Sequence, residues 1–186
     1  MVENYKEQWL VSSEYSNLYS FAHKSFKYGK NFKIGRFCII EKDCEVGDNV
    51  ELMDYVKLMP GTNIGNNSKL DDYVNTSGYC FIGNNVHIKR CTMIGQAVKI
   101  MDNVKVLSHV TTTRVKRPKI SSKEEWIIIE EGAVIGSHSC LLAGITIGKN
   151  AIIGMGAVVV KDCEPNGVYV GNPARLVSPI EKEEIE

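Results

Sequence analysis

The aliphatic residues of this chain recur at every sixth position, a period that belongs neither to a single strand nor to a helix. The series from Ile34 onward is aliphatic at every step except Thr76, and it runs Ile34, Ile40, Val46, Leu52, Leu58, Ile64, Leu70, Thr76, Ile82, Ile88, Ile94, Ile100 and Val106. After an interruption, the same register resumes at Ile129, Ile135, Leu141, Ile147, Ile153 and Val159. A strand repeats its faces about every 2 residues and a helix about every 3.6. The period therefore indicates a repeat unit larger than one strand.

A second set of apolar side chains lies four positions after members of the first. These residues are small or β-branched, and they include Cys38, Cys44, Val50, Val56, Val74, Cys80, Val86, Val98, Val104, Ala133, Ala151 and Cys163. One such unit provides a short strand and a corner, which cannot bury an apolar side alone. Stacked copies of the unit can bury it, as in other repeat proteins.

A longer repeat spans three of these units. Asn49, Asn67, Asn85 and Asn103 are each eighteen positions apart, and Gly47, Gly65 and Gly83 keep the same interval. Asparagine and glycine tolerate the left-handed backbone conformation that tight corners need. One corner in three therefore has the same chemistry, which predicts three hexads per turn. The predicted fold is an all-β solenoid with three parallel faces.

The interruption of the repeat predicts an extruded loop. Gly132 takes the corner position that Asn103 takes one turn earlier, and Asn150 follows Gly132 at the regular interval. The step from Asn103 to Gly132 is longer than that interval by eleven positions, so one turn carries an insertion. The insertion lies within residues 112–128 and is polar and basic. A loop that leaves a regular scaffold in this way commonly contributes to a binding or catalytic site.

Composition narrows the possible functions. The chain has 186 residues, with Lys plus Arg and Asp plus Glu both equal to 22, so no overall field favours nucleic acid or membranes. No apolar run approaches the roughly 18–20 residues of a membrane span, and the N-terminus has no signal-peptide core, so we expect no membrane insertion. Four of the six cysteines fall at inward positions, which favours buried thiols over disulfides or a metal site. We expect a cytoplasmic protein.

Both ends depart from the repeat. Residues 1–30 are rich in aromatic side chains and predict a cap, with one or two helical turns, over the first turn of the solenoid. At residues 178–186, Ser178 occupies a possible N-cap, Pro179 a first helical position and Glu181 a position in the first turn. This pattern predicts a short C-terminal helix.

The hexads, the extruded loop and the closing segment GAVVVKDCEPNGVYVGNPARLV (156–177) resemble the hexapeptide-repeat acyltransferases, in particular the short acetyl-CoA-dependent sugar acetyltransferases. The resemblance covers residues 31–177. It implies a left-handed β-helix, a homotrimer with active sites between subunits, and an acyl-CoA co-substrate without a metal. It also implies transfer of an acetyl or similar acyl group to a hydroxyl or amino group of a sugar or sugar nucleotide, in surface polysaccharide biosynthesis.

Acyl transfer needs a group that removes a proton from the acceptor, and a histidine, which titrates near neutral pH, is the usual base. His109 directly precedes the loop, at or near the position where the family has its catalytic histidine, and we predict that it is the base. His138 follows at the same long step that separates Asn103 from Gly132, so it should stack on His109 from the next turn. Backbone amides of the coil are the expected donors to the tetrahedral oxyanion.

The residues around His109 leave the acceptor open. Ser108 and Val110 replace the aspartate or glycine and the proline that commonly flank this histidine in sugar acetyltransferases. Relatives that acylate amino sugars often have an Asn-Asp pair here, followed by an arginine. If the acceptor is a neutral amine, the departing sulfur can collect the proton, and His109 would then be a positioning or structural residue.

The remaining site residues follow from the loop and from the resemblance. Arg114 and Arg117, with Lys116 and Lys119, could bind acidic groups of the acceptor or of CoA, or form a solvated basic loop. Trp126 could stack on a sugar or base, or pack structurally, and His138 could contact the acceptor as a neighbour of the base. The resemblance assigns the CoA groove to Ala143, Gly144, Gly156, Ala157, Lys161, Asn172, Pro173 and Arg175. For Lys161, an ion pair with Asp162 is the alternative.

Two other classes of protein share a three-faced solenoid. A γ-class carbonic anhydrase needs three histidines that converge on zinc, two of them close in sequence. Here no two of His87, His109 and His138 are close in sequence. The second class is a non-catalytic solenoid, either a scaffold or an ice-binding surface. Ice binders repeat threonines on a flat face, whereas here the outward residues vary from coil to coil. We therefore prefer the acyltransferase.

Overall fold

The computed structural model describes residues 9–10, 19–114 and 126–179. This part of the chain contains short strands joined by turns and bends, and no helix in it is long and apolar enough to span a bilayer. The strands, in chain order, are β1 Trp9–Leu10, β2 Phe21–His23, β3 Lys27–Tyr28, β4 Lys33–Ile34, β5 Ile39–Ile40, β6 Glu45–Val46, β7 Glu51–Leu52, β8 Lys57–Leu58, β9 Asn63–Ile64, β10 Lys69–Leu70, β11 Asn75–Thr76, β12 Phe81–Ile82, β13 His87–Ile88, β14 Met93–Ile94, β15 Val98–Ile100, β16 Lys105–Val106, β17 Thr111–Thr112, β18 Ile127–Ile129, β19 Val134–Ile135, β20 Cys140–Leu141, β21 Thr146–Ile147, β22 Ile152–Ile153, β23 Val158–Val159, β24 Gly167–Val170 and β25 Arg175–Pro179.

Every third strand belongs to the same sheet, which makes the fold a parallel β-solenoid with three faces. One sheet has the order β1-β2-β5-β8-β11-β14-β17-β20-β23, the second β25-β24-β22-β19-β16-β13-β10-β7-β4, and the third β21-β18-β15-β12-β9-β6-β3. The register advances by three hexads per coil, so Leu70 lies between Leu52 and Ile88. Across the insertion, Val106 pairs with Ile135. The predicted fold class and repeat length are confirmed, and the architecture is that of a left-handed β-helix.

The core lies inside the triangle and consists of the two apolar positions of each hexad. Ile40, Leu58, Ile88 and Ile100, for example, have no exposed surface, and Thr76 is also buried. Thr76 is accommodated because its hydroxyl lies 2.9 Å from the Thr62 hydroxyl, which gives it a polar partner inside the core.

The inward cysteines are free, buried thiols, as predicted. Cys38, Cys44, Cys80 and Cys163 are each at most 4% exposed. Burial raises the pKa of the Cys38 thiol to about 11 and that of Cys163 to about 12. These thiols therefore stay protonated near neutral pH and behave as small hydrophobic residues.

The corners explain the asparagine and glycine spacing. The side-chain amide of Asn49 donates to Asn67 Oδ1 over 2.8 Å, and the same bond recurs from Asn67 to Asn85 and from Asn85 to Asn103. Each of these asparagines has a positive φ between 54° and 60°. Gly65 permits a close approach of neighbouring coils, because a Cβ there would lie 2.7 Å from Asn84 Oδ1. The asparagine ladder fixes one edge of the triangle.

The described residues at both ends of the chain form strands. Of the predicted cap at residues 1–30, the described part contains β1 to β3, and β2 and β3 already pair in parallel with β5 and β6. Ser178 and Pro179 belong to β25, which runs antiparallel to β24, so the prediction of a helix beginning there is wrong. Pro179 is the last residue of an edge strand, where its missing N–H costs no ladder bond. Residues 1–8, 11–18 and 180–186 lie outside the described residues.

Candidate active site

One corner of the triangle carries both histidines that the sequence singles out. We call the residues stacked at this corner the histidine column; from the N-terminal to the C-terminal end they are Tyr19, Phe37, Tyr55, Tyr73, Cys91, His109, His138 and Gly156. All of them have a positive φ, between 52° and 69°. The left-handed backbone turns the chain from one sheet into the next, so each side chain projects outward from the same edge.

The rings of His109 and His138 lie on adjacent coils and stack face to face. Their centroids are 4.6 Å apart and their planes differ by 4°, which confirms the predicted pairing. Both residues are exposed. Among the described residues, no side chain or backbone group forms a hydrogen bond with either ring. The ring nitrogens are therefore available to a bound substrate, as a base or a hydrogen-bond donor would require.

The amides of His109, His138 and Gly156 are already bonded to neighbouring coils. The His109 N–H donates to Arg90 O over 3.1 Å, the His138 N–H to Ser108 O over 3.0 Å, and the Gly156 N–H to Ser137 O over 2.8 Å. These three N–H groups donate to the neighbouring coil, so they are not available to an oxyanion. That other amides of the coil bind the oxyanion stays a prediction.

The extruded loop leaves the solenoid one hexad after His109. Strand β17 ends at Thr112, Arg114 is exposed, and the next described residue is Trp126, directly before β18. The loop thus starts at the next corner of the triangle, one sheet face away from the histidine column. Lys116, Arg117 and Lys119 lie outside the described residues.

Trp126 is only partly available to a ligand. The Lys99 ammonium lies over its ring, 4.9 Å from the centroid, in a cation–π contact. The indole packs against the solenoid at the foot of the loop, and 36% of its surface is exposed. The structure therefore fits the packing role better, and sugar stacking by Trp126 stays a prediction.

Small residues lie on the C-terminal side of the histidine pair, both one hexad and one coil beyond His138. Gly144 has a φ of 75° at the corner one hexad beyond His138, next to the buried Ala143. The Ala143 N–H donates to Thr113 Oγ1 over 2.8 Å, which ties this coil to the start of the loop. Gly156 follows His138 in the histidine column, and a Cβ added there would meet nothing within 4 Å. The outer face of the His138 ring is thus open toward Gly156, and Ala157 beside it is buried.

Lys161 and Arg175 meet in one cleft near the C-terminal end. Its volume is about 210 Å³, and its lining residues are Val159, Lys161, Asp162, Cys163, Tyr169, Ala174, Arg175 and Leu176. Asp162 Oδ1 accepts a hydrogen bond from the Thr146 N–H over 2.8 Å. Asn172 and Pro173, joined by a cis peptide bond, form the turn that leads into Ala174 and Arg175. The cleft has two cations at its wall, as a phosphate site would need.

His87 is separate from this corner. It lies on β13, and its Nε2 is 3.0 Å from Asp71 Oδ1. Burial raises the pKa of the Asp71 carboxyl, but the hydrogen bond from His87 and the nearby positive charges outweigh it, so the pKa lies below its usual value. In residues 9–10, 19–114 and 126–179, no group of three or more His, Cys, Asp or Glu is arranged to hold a metal ion. His87 is therefore a hydrogen-bond partner of Asp71 on a sheet face.

Comparison with known proteins gives matches along most of the chain. Residues 18–124 match the family described as GMPPB C-terminal domain, and residues 126–161 match the family described as hexapeptide repeat of succinyl-transferase. The galactoside O-acetyltransferase of Escherichia coli K12 is 34% identical over 111 residues, which are 52% of this chain and 55% of that protein. A mitochondrial serine acetyltransferase 3 of Arabidopsis thaliana is 36% identical over 91 residues, 46% of this chain and 21% of that protein. The chain thus spans between about a fifth and about half of these two relatives.

Solved structures show the same fold at low sequence identity. The UDP-N-acetylglucosamine acyltransferase of Campylobacter jejuni superposes with a TM-score of 0.68 at 17% identity, covering 89% of this chain and 78% of that one. AntD, an N-acyltransferase of Bacillus cereus solved with dTDP and 3-hydroxybutyryl-CoA, gives a TM-score of 0.61 at 19% identity, covering 96% and 93%. At these identities the superpositions support the architecture.

Proposed function

The chain belongs to the hexapeptide-repeat acyltransferase family, with residues 18–124 in the group of the GMPPB C-terminal domain, and we propose that it transfers an acyl group from acyl-CoA to a sugar or nucleotide-linked sugar. The observation that carries this proposal is the exposed, stacked pair of His109, one hexad before the extruded loop, and His138, on the coil that follows the loop. An imidazole at a rigid, solvent-accessible corner suits a base that must meet a diffusing hydroxyl group.

His109 is the proposed base. The acceptor hydroxyl loses its proton to an imidazole nitrogen while its oxygen bonds to the thioester carbonyl carbon. Collapse of the tetrahedral intermediate breaks the carbon–sulfur bond, and the imidazolium returns the proton to the departing CoA sulfur. His138 stacks on His109 and holds its ring in place, because rotation of either ring would lose the contact at 4.6 Å.

The donor is proposed to approach from the C-terminal side of the histidines. The cleft of Lys161 and Arg175 follows β23, two coils beyond His109, or about 10 Å along the axis at the usual strand spacing. Gly156, which has open space beside its Cα, lies on the same side of the His138 ring. A CoA phosphate in the cleft and a pantetheine arm beside Gly156 would bring the thioester to the histidine pair. A homotrimer, with this groove covered by a second subunit, is part of the proposal, as is a role in surface polysaccharide biosynthesis.

An acceptor screen tests the function. Acetyl-CoA is incubated with the protein and one of two panels, nucleotide-linked amino sugars or free sugars, and release of the CoA thiol is followed against a control without acceptor. We expect acceptor-dependent thiol release with members of one panel and an acetylated product of the matching mass. No acceptor-dependent release with either panel would contradict the proposal.

The cleft cations are expected to act on donor affinity. Lys161→Ala and Arg175→Ala should each raise the KM for acetyl-CoA roughly 10- to 100-fold, with kcat little changed. A charge-assisted hydrogen bond contributes about 1.5–3 kcal/mol, and this one is made equally in the ground and transition states. Steady-state kinetics with acetyl-CoA and its 3′-dephospho analogue measure this. Lys149→Ala is the matched control, since Lys149 pairs with Glu131 at another corner. An unchanged KM in both cleft variants would place the CoA phosphates elsewhere.

A further inference from the structure

From Tyr19 to His138 the histidine column is a ladder of stacked rings that is interrupted at one residue, Cys91. Phe37 and Tyr55 stack at 4.9 Å, Tyr55 and Tyr73 at 4.7 Å, and the two histidines at 4.6 Å. Cys91 lies between Tyr73 and His109 and has no ring. The coils continue without a break through this point, since β14 pairs with both β11 and β17.

The missing ring leaves room for one ring of a ligand. Adjacent strands lie about 4.8 Å apart, so the ring planes of Tyr73 and His109, two coils apart, are separated by about 9.6 Å. This is twice the spacing of the rings within the ladder, and it is the space that one further ring occupies. We call this gap, bounded by Tyr73 and His109 with Cys91 as its floor, the notch. Tyr73 is 51% exposed, and Cys91 and His109 are also exposed, so a ligand can enter from solvent.

An arginine stands beside the notch. Arg90 directly precedes Cys91 and is exposed, and its guanidinium forms no ion pair or hydrogen bond with any of the described residues. Three coils earlier, the equivalent Arg36 is held by Asp54, with Nη2 2.6 Å from Oδ2. The residue above Arg90 on the next coil is Ser108, which offers no carboxylate. Arg90 is therefore a cation available to an anion bound at the notch.

We propose that the notch binds the acceptor as a sugar ring that carries an anionic group. The C–H face of the sugar packs on the Tyr73 ring, the anion binds Arg90, and the reacting hydroxyl or amino group extends to the edge of the His109 ring, where the imidazole nitrogens accept a proton in the ring plane. This inference rests on the proposed function and adds to it the acceptor side of the site: the acceptor enters from the N-terminal side of His109 and the acyl donor from the side of Gly156. The anion is either the diphosphate of a nucleotide-linked sugar or the carboxylate of a uronic acid. Both carry the negative charge that the Arg90 guanidinium binds.

The decisive variant is Cys91→Tyr, which inserts the missing ring. The fold accommodates this change, because Phe37, Tyr55 and Tyr73 carry rings at the same corner with the same backbone conformation. We expect the KM for the acceptor to rise at least tenfold, with the KM for acetyl-CoA and the melting temperature unchanged. Tyr73→Ala and Arg90→Ala should also raise the acceptor KM severalfold. Tyr55→Ala is the matched control, since Phe37 and Tyr73 cover both of its faces, and it should stay within twofold of the wild type.

Direct binding separates this proposal from the proposed function. Calorimetry with UDP-N-acetylglucosamine and with glucuronic acid measures acceptor affinity without turnover. Binding of either probe that is lost in Cys91→Tyr and retained in Tyr55→Ala supports the notch even if no transfer is detected, and the probe that binds identifies the source of the anion. Binding or acceptor KM that is unaffected by Cys91→Tyr, or the failure of both probes to bind the wild type, would overturn it.

Discussion

A His109→Ala variant is expected to lose at least ~10²-fold in turnover with a hydroxyl acceptor, because positioned general-base catalysis contributes about 10²–10⁴-fold to such reactions. The loss should appear in kcat and in kcat/KM alike, since the proton is transferred only as the transition state forms. The KM for acetyl-CoA should change little, because the cleft of Lys161 and Arg175 lies two coils away. Steady-state thiol release with the acceptor found by the screen measures the effect.

His138→Ala is the control for this experiment. Both histidines have a positive φ, 62° and 60°, and replacing either one removes the same ring contact. The two substitutions should therefore change the stability of the fold by similar amounts. We expect the smaller loss for His138→Ala. Equal losses would indicate that the pair acts through stacking alone. Undiminished turnover of His109→Ala with that hydroxyl acceptor would exclude His109 as the base.

The sequence predicts the solenoid because one physical requirement acts on every coil. Each hexad must place one aliphatic side chain inside a narrow triangle, so the period of six follows directly from the geometry of the core. The same register places His138 over His109 across the insertion, and the stacked rings confirm that placement. Spacing therefore predicts columns of side chains well in this fold, even where one coil carries a loop.

The notch escapes sequence analysis because the histidine column shares a backbone conformation rather than a residue type. Asparagines that recur once per coil are easily recognised as a repeat in the sequence. Tyr73, Cys91 and His109 have the same spacing but no common chemistry. The interval is nevertheless present, since Tyr19, Phe37, Tyr55 and Tyr73 have the same spacing as the corner asparagines. The stacking distances, and the gap in the ladder at Cys91, are visible only in the three-dimensional structure.

The prediction of a C-terminal helix beginning at Ser178 is wrong for a different reason. Ser178 and Pro179 satisfy local rules for the start of a helix, and those rules concern only a few neighbouring residues. The competing interaction comes from the sheet: β24 exposes an unpaired edge, and residues 175–179 pair with it antiparallel. An open edge at the end of a parallel sheet needs a covering segment, and this requirement outweighs the helix signal.

Ile88→Ala is expected to destabilise the protein by about 2–5 kcal/mol, the usual range for truncating a fully buried isoleucine. Ile88 has no exposed surface, and its strand β13 lies between β10 and β16 in the middle of a sheet. The neighbouring coils cannot close on the cavity, because their own spacing is fixed by the strand hydrogen bonds above and below. Chemical denaturation monitored by circular dichroism measures the change.

Ile34→Ala is the matched variant for this test, since Ile34 is the same residue in the same column of the same sheet. It lies at β4, the first strand of that column, where it is only partly buried and, among the described residues, has a neighbouring strand on one side alone. The loss should be less than half that of Ile88→Ala, because less apolar surface returns to water and the end coil can relax. Equal losses for the two variants would mean that the end of the solenoid is as tightly enclosed as its middle. The stability of the middle coils could then not be attributed to the presence of a neighbouring coil on each side.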